Sequence, residues 1–287
     1  MSGVTKTRMR HRFGTTVRGN SSGSSGSLHQ ARDPLFNESV QKAIAVLEAF
    51  GRRRVLQLGE AAEAVGITRA SAQRYIWTLE TLGYLQRESQ GSGWFLTPRV
   101  LQIPHAYLSG HRLIEQSTRH LADLNRVSGE FVSLSEPYGT DMVYVTGFAT
   151  YKRTLMHAPV GTRLPMHCTG SGRAYLSALP VGEARSLLCS SCCRALTSLT
   201  ITDRERILAL VAEAHIHGYA YSDEECYHGY RAVAAPVIGE GHRPIGAVNV
   251  AAPSSRWSIG AMRTKLAPLV IEAARAISSG SLSQAHG

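Results

Sequence analysis

Thr68-Arg-Ala-Ser-Ala-Gln-Arg74 gathers the side chains that recognise nucleic acid into one short run. Arginine can grip guanine with two hydrogen bonds, and glutamine can pair with adenine. Serine and threonine at a helix start can hold phosphate, helped by the free amides there. Gln73 and Arg74 are therefore expected at base edges. Arg69, Ser71 and the more distant Arg87 are expected at phosphates, with Thr68 and Ala70 completing the same face. The other reading of this run is an ordinary helical hairpin with a solvated charged side.

A second group of residues suits a small anion. Pro165-Met-His-Cys-Thr-Gly-Ser-Gly-Arg-Ala174 reads as a helix start, with Thr169 and Ser171 able to cap it. Amides around Gly170, Ser171 and Gly172 would favour a carboxylate. Simple capping, with glycines for close packing, explains the segment as well. Arg163 could add charge. Downstream, Tyr221-Ser-Asp-Glu-Glu-Cys-Tyr-His-Gly-Tyr-Arg-Ala232 joins a polar loop to a strand. Ala232, Ala234 and Ala235 would leave room beside a sheet face. Asn249 is a polar residue in an apolar strand and needs a partner if buried. Met166, Cys168, Thr169, Gly170, Ser171, Ser222, Asp223, Ala232 and Asn249 form the expected effector-binding set.

Covalent and metal chemistry find little support. His167 and Cys168 as strand neighbours would point to opposite faces, and no nucleophile signature surrounds them. Cys189-Ser-Ser-Cys192 has a spacing that zinc uses, but no second ligand pair follows at finger spacing, although His215 and His217 lie downstream. These are read as loop cysteines. There is no P-loop, dinucleotide glycine fingerprint or serine nucleophile elbow. No metal or cofactor is expected.

The elements that must position these groups follow from periodicity. Val40, Ala43, Ile44, Leu47 and Phe50 recur at helical spacing, with Ser39 as N-cap and Gly51 as stop. A second helix spans 58–65 and ends at Gly66. A third follows Thr68 and runs to Leu82, burying Ala72, Ile76 and Leu79. Ala62 suits a close helix crossing. Residues 84–88 and 94–97 read as a hairpin. This is the order of a winged helix-turn-helix. A linker helix is expected over 100–109, broken at Pro104, then a longer helix over 113–127 closed by Gly129. Strands are expected at 131–136, 142–148, 155–158, 219–221, 231–237 and 245–251. Helices are expected at 169–179, 202–217 and 259–277. The short connections favour an antiparallel sheet.

Composition bounds the answer. The 287 residues are 43% apolar and 18% charged, which excludes wholesale disorder. No apolar run is long enough for a membrane span. The formal charge is +10, with 14 basic and 7 acidic residues in 1–110, so a polyanionic partner is favoured. Arg52, Arg53 and Arg54 add to it. Residues 1–36 read as a basic, Ser/Gly-rich disordered tail and 281–287 as a second one. Between them the divisions are 37–98 for the DNA-binding domain, 99–112 for the linker and 113–280 for an effector domain. Five cysteines and no apolar signal region suggest a reduced, cytoplasmic protein.

Four stretches together resemble the IclR family of bacterial transcriptional regulators. They are residues 39–50, 66–85, 161–174, and Asp223-Glu-Glu225 with Gly229-Tyr-Arg-Ala-Val-Ala-Ala-Pro-Val237. The resemblance covers about residues 38–278. It implies an α+β chain with an N-terminal winged helix-turn-helix, a linker helix and a C-terminal GAF-like α/β effector domain. It also implies homodimers or homotetramers on palindromic operators in double-stranded DNA. The run at 96–101 and the start of the third helix are similar to the subgroup that controls aromatic-acid catabolism, so a small aromatic acid is the implied effector. Family members that bind small oxo acids tend to carry an acid and a cysteine where Ser222 and Ala232 stand here. That departure implies a larger, less polar ligand. The competing function is an enzyme acting on a small organic acid, with a basic front module, but no acid/base pair supports it.

Overall fold

The computed structural model describes residues 35–150 and 158–283. It divides into two compact units, the first ending at Thr97 and the second beginning at Pro98.

In the first unit, helix α1 (Glu38–Ala49) is capped by Asn37, whose side chain accepts from the amides of Ser39 at 3.0 Å and Val40 at 3.3 Å. The cap is therefore Asn37, and the expected cap Ser39 lies inside the first turn. A two-residue strand β1 (Leu56–Gln57) leads into α2 (Leu58–Val65). Glu60 closes a capping box by accepting from Gln57 N at 2.9 Å. Gly66, at φ +72°, ends α2 in the left-handed region that glycine adopts without penalty. Helix α3 (Arg69–Thr81) follows at once, capped by Thr68. The wing is β2 (Leu85–Arg87) and β3 (Gly93–Leu96), and β1 joins them in the order β1-β3-β2. The sequence patterns did not signal β1, which is too short for alternation to show. Val46, Phe50, Ala61, Ile76, Leu79 and Leu85 form the core.

The second unit opens with a 3-10 turn at Pro98–Leu101 and helix α4 (Gln102–Leu108). Pro104 does not break it. It sits in the first turn, where a missing N–H forfeits no intrahelical bond. Helix α5 (Arg112–Ser128) buries Leu113, Leu121 and Leu124 and stops at Gly129, φ +65°. Six strands then form one antiparallel sheet. They are β4 (Phe131–Tyr138), β5 (Asp141–Phe148), β6 (Arg163–Pro165), β7 (Ala220–Asp223), β8 (Tyr230–Ile238) and β9 (Pro244–Pro253), in the order β6-β5-β4-β9-β8-β7. Of the strand expected at 155–158, residues 155–157 lie outside the described residues and Ala158 is not in a strand. Strand β6 was not foreseen.

Helices α6 (Gly170–Ser177), α7 (Val181–Ser190) and α8 (Arg204–His217) contribute to a core on one sheet face. On the other face lie α5 and the terminal helix, which starts at Ile259, widens into a π turn at Met262–Leu266 and continues as α9 (Ala267–Ser283). Strand alternation separates the faces. Val233, Ala235 and Val237 of β8 enter the α5/α9 core, whereas Ala234 enters the α6–α8 core.

Candidate DNA face and effector cleft

Thr68 sets the start of α3: its hydroxyl oxygen accepts from Ser71 N at 3.2 Å and donates to Ser71 Oγ at 3.1 Å. Ala72, Ile76 and Leu79 are buried, which turns Ala70, Gln73 and Arg74 outward into solvent. Ser71 is half-buried. Arg69 is exposed and lies against the start of α2, its guanidinium 2.6 Å from where a Cβ on Gly59 would sit. On the wing, Arg87 is held over the Trp94 ring at 5.5 Å, and Trp94 donates to Glu80 at 3.0 Å.

The domain total of charge is smaller than the count over 1–110 suggests. Residues 1–34 hold six Lys/Arg and one acid, whereas 35–97 hold seven and six. Arg53 is further neutralised by an ion pair with Glu60. What favours a polyanion is the local arrangement, since α3 carries Arg69 and Arg74 and no carboxylate between residues 69 and 79.

The second site is a cleft with about 360 Å³ of empty space, part of it open to solvent. At one end is the start of α6. Thr169 caps it, accepting from Gly172 N at 3.1 Å and donating to Pro165 O at 2.9 Å. The first-turn amides of Gly170 and Ser171, both lining the cleft, have no acceptor within the helix. Ser222, Ala232, Asn249 and Ala251 line its sheet side, and Tyr144, Tyr227 and Tyr230 are aromatic walls. Asn249 is buried and donates to Ser133 Oγ at a long 3.4 Å. Burial pushes the Tyr144 phenol well up, so it stays neutral and keeps its proton to donate.

Three expected residues do not reach this cleft. Met166 is buried in the α6–α8 core. Cys168 is buried, and its thiol is pushed up first by the neighbouring Cys226 thiol and then by burial. Asp223 alternates away from Ser222 and accepts from Arg231 Nε at 2.6 Å. Arg163, offered as extra charge, pairs with Asp141 at 2.7 Å over the Tyr138 ring. The tyrosines and Cys226 were missed because they come from separated strands and a loop, with no local spacing to unite them.

The nucleophile question also changes in detail. His167 and Cys168 lie in a 3-10 turn, Met166–Cys168, and not in a strand. His167 is held through Nε2 at 3.0 Å from Arg194 O. Cys189 lies in α7, so it is not a loop cysteine. Among the described residues no group of three or more His, Cys, Asp or Glu is placed to hold a metal ion.

Known proteins share both halves. Residues 39–89 match the IclR helix-turn-helix domain, and residues 105–279 match the bacterial transcriptional regulator IclR C-terminal domain. The Pca operon regulatory protein of Acinetobacter baylyi is 33% identical over 245 residues, 84% of this chain and 87% of that one. The Pca regulon regulatory protein of Pseudomonas putida is 30% identical, over 85% and 84%. A solved structure from Rhodococcus sp. RHA1, assigned to transcriptional regulation, superposes with a TM-score of 0.74 at 32% identity, over 86% of this chain and 98% of that one. The matched relatives are named regulators and repressors, which sets the enzyme reading aside. With both halves matched in order, and with Pca regulators among its relatives, the chain belongs to the IclR family of bacterial transcriptional regulators.

Proposed function

We propose that this regulator reads a palindromic operator with α3 and that a small aromatic acid, bound in the second unit, sets its operator affinity. The observation that carries this reading is the cleft itself. It sets free helix amides opposite aromatic walls, which suits a carboxylate on an apolar ring. An IclR homologue from Microbacterium hydrocarbonoxydans, with a TM-score of 0.68 and 21% identity over 84% of this chain and 98% of that one, was solved with 4-hydroxybenzoate. Ser222 and Ala232, uncharged and small, leave room for a ring.

The linker is tied to the sheet that holds the cleft. Tyr107 of α4 donates to Glu136 of β4, and His111 Nε2 lies 3.2 Å from the same carboxylate. Burial and Glu136 push the Tyr107 phenol up to about 12. Strand β4 also carries Ser133, the partner of Asn249. A shift in the cleft can therefore bias the linker, and a coupling of about 1–3 kcal/mol suffices to switch operator affinity.

Val40 and Ile44, one turn apart on α1, are 54% and 51% exposed, and Leu101 and Ile103 of the linker segment are 63% and 60% exposed. These apolar faces suit a second copy, as two half-sites need. Homodimers or homotetramers acting in the cytoplasm are the assembly we propose. Among the described residues no helix is long and apolar enough to cross a membrane.

The test is fluorescence anisotropy on DNA upstream of the gene, with and without 4-hydroxybenzoate or protocatechuate, beside a thermal-shift screen of the same acids. Arg74→Ala should cost operator binding about ten- to a hundredfold and leave random-DNA binding nearly intact. Equal losses on both DNAs, or no acid that shifts melting, would refute the respective half of the proposal.

A further inference from the structure

The chain has three tryptophans, and two are anchored: Trp94 donates to Glu80 and underlies Arg87, and Trp257 donates to Glu130 at 2.9 Å. Trp77 is the exception. It stands on α3 with 70% of its surface exposed, outside the core of its unit. Among the described residues its indole has no hydrogen-bond partner. Leaving the largest side chain in water is costly, since burying it would be worth several kcal/mol.

Its direction is fixed by the helix. At about 100° per residue, Ala72, Ile76 and Leu79 fall within an arc of about 60° that faces the core. Trp77 points about 130° away from the middle of that arc. It is about 40° round the axis from Gln73 and about 60° from Arg74, between them and one turn further on.

We propose that Trp77 is a DNA contact that reads the C5-methyl group of a thymine. The inference rests on α3 being the DNA-reading helix and adds an apolar reader to its polar ones. The major groove offers one apolar feature, the thymine methyl, and an apolar side chain recognises it by contact. At 1.5 Å per residue, Trp77 lies about 6 Å along the axis from Gln73, on the order of two base pairs away. The charge around it selects this occupant over a second copy. Gln73 and Arg74 stand one turn before the indole on its two sides, and the carboxylate nearest to it along the helix, Glu80, is engaged by Trp94 at 3.0 Å, whereas the stripe suited to self-association, Val40 and Ile44, is on α1.

The experiment uses the full chain. Wild-type protein selects duplexes from a random-sequence library, and each thymine of the selected duplex is then replaced in turn by deoxyuracil. One or two replacements should weaken wild-type binding roughly fourfold each, the value of one buried methyl group. Trp77→Ala should bind the parent duplex more weakly by at least that factor and be indifferent to the same replacements, with unchanged melting and unchanged sedimentation. If wild type selects a duplex but no deoxyuracil weakens it, or if Trp77→Ala remains as sensitive as wild type, Trp77 is not a methyl reader although α3 still reads DNA. If Trp77→Ala becomes monomeric, the indole belongs to a subunit contact and the proposal falls. If wild type selects no duplex at all, the DNA-reading role of α3 falls with it.

Discussion

The Arg173 guanidinium and the Glu225 carboxylate face each other inside the second unit, through two parallel contacts of 2.6 and 2.5 Å, at 1% and 4% side-chain exposure. Three further hydrogen bonds hold the pair in place. Arg173 also donates to His167 O at 2.9 Å and Tyr221 O at 3.2 Å, and Glu225 accepts from Ile201 N at 3.2 Å. The pair ties the first turn of α6 to the loop that carries Cys226 and Tyr227, so it holds two sides of the cleft together.

A buried pair adds little over an apolar replacement, but removing one partner strands the other. Glu225→Gln should therefore lower stability by about 3–5 kcal/mol. Arg173→Met with Glu225→Leu should recover much of that loss. Urea denaturation of the three proteins checks the order. If Glu225→Gln is as stable as wild type, the pair does not organise the site.

Two glycines of the same helix start should respond oppositely. A Cβ on Gly172 would lie 2.2 Å from Met166 Cα and 2.4 Å from Met166 O, backbone atoms with nowhere to move. A Cβ on Gly170 would meet Ala232 O and Ala234 Cβ at an ordinary 3.5 Å. Gly172→Ala should cost about 1–3 kcal/mol or more by overpacking. Gly170→Ala should melt within a few degrees of wild type and bind an effector less well, because it fills cleft space. Calorimetry on both variants separates the two roles.

Thiol reactivity should follow exposure and not position in the sequence. Cys189 and Cys192 are exposed, whereas Cys168 and Cys193 are buried. The thiolate is the reactive form, and the Cys168 thiol is pushed far up by Cys226 and by burial. Iodoacetamide at mild alkaline pH should label Cys189 and Cys192 in the native protein, and Cys168 only after unfolding. Peptide mapping that finds native Cys168 labelled as fast as Cys189 would contradict the burial of Cys168.

Acid should loosen the loop beside the cleft. Glu224 accepts from Gly229 N at 2.7 Å, and that bond, then Ser254, holds its carboxyl below the usual carboxylate range. A lowered folded value favours the folded loop when the group is charged. That contribution is complete above the ordinary value of 4.5 and is lost as pH falls through the lower, folded value. Wild type should lose melting temperature from pH 6 to pH 3 more steeply than Glu224→Gln does. Parallel pH profiles for the two proteins would remove Glu224 from the account.

Signals held within a few residues were legible in the chain. Gly66 and Gly129 stop helices because only glycine takes positive φ cheaply, and Thr68 starts one by capping a free amide. The inward set Ala72, Ile76 and Leu79, and so the outward set with Gln73 and Arg74, follows from helical period alone. The same local logic misplaced the first cap, where Asn37 and Ser39 are two residues apart and both are good caps.

The cleft was decided by tertiary pairing. Sequence pattern fixes the alternation of β7 but not its phase against a neighbour. The register that sets Ser222 opposite Ala232 and Asp223 opposite Arg231 sends the first pair to the cleft and leaves Asp223 outside it, paired with Arg231, which itself lines the cleft. Tyr144 and Ala251 line the same cleft only because β4 lies between β5 and β9, and Arg173 meets Glu225 only because α6 packs beside the β7–β8 loop. Local propensity reaches a turn or two along the chain. Which strands pair across a hundred residues depends on how the whole chain buries its apolar faces, and no short run of residues carries that information.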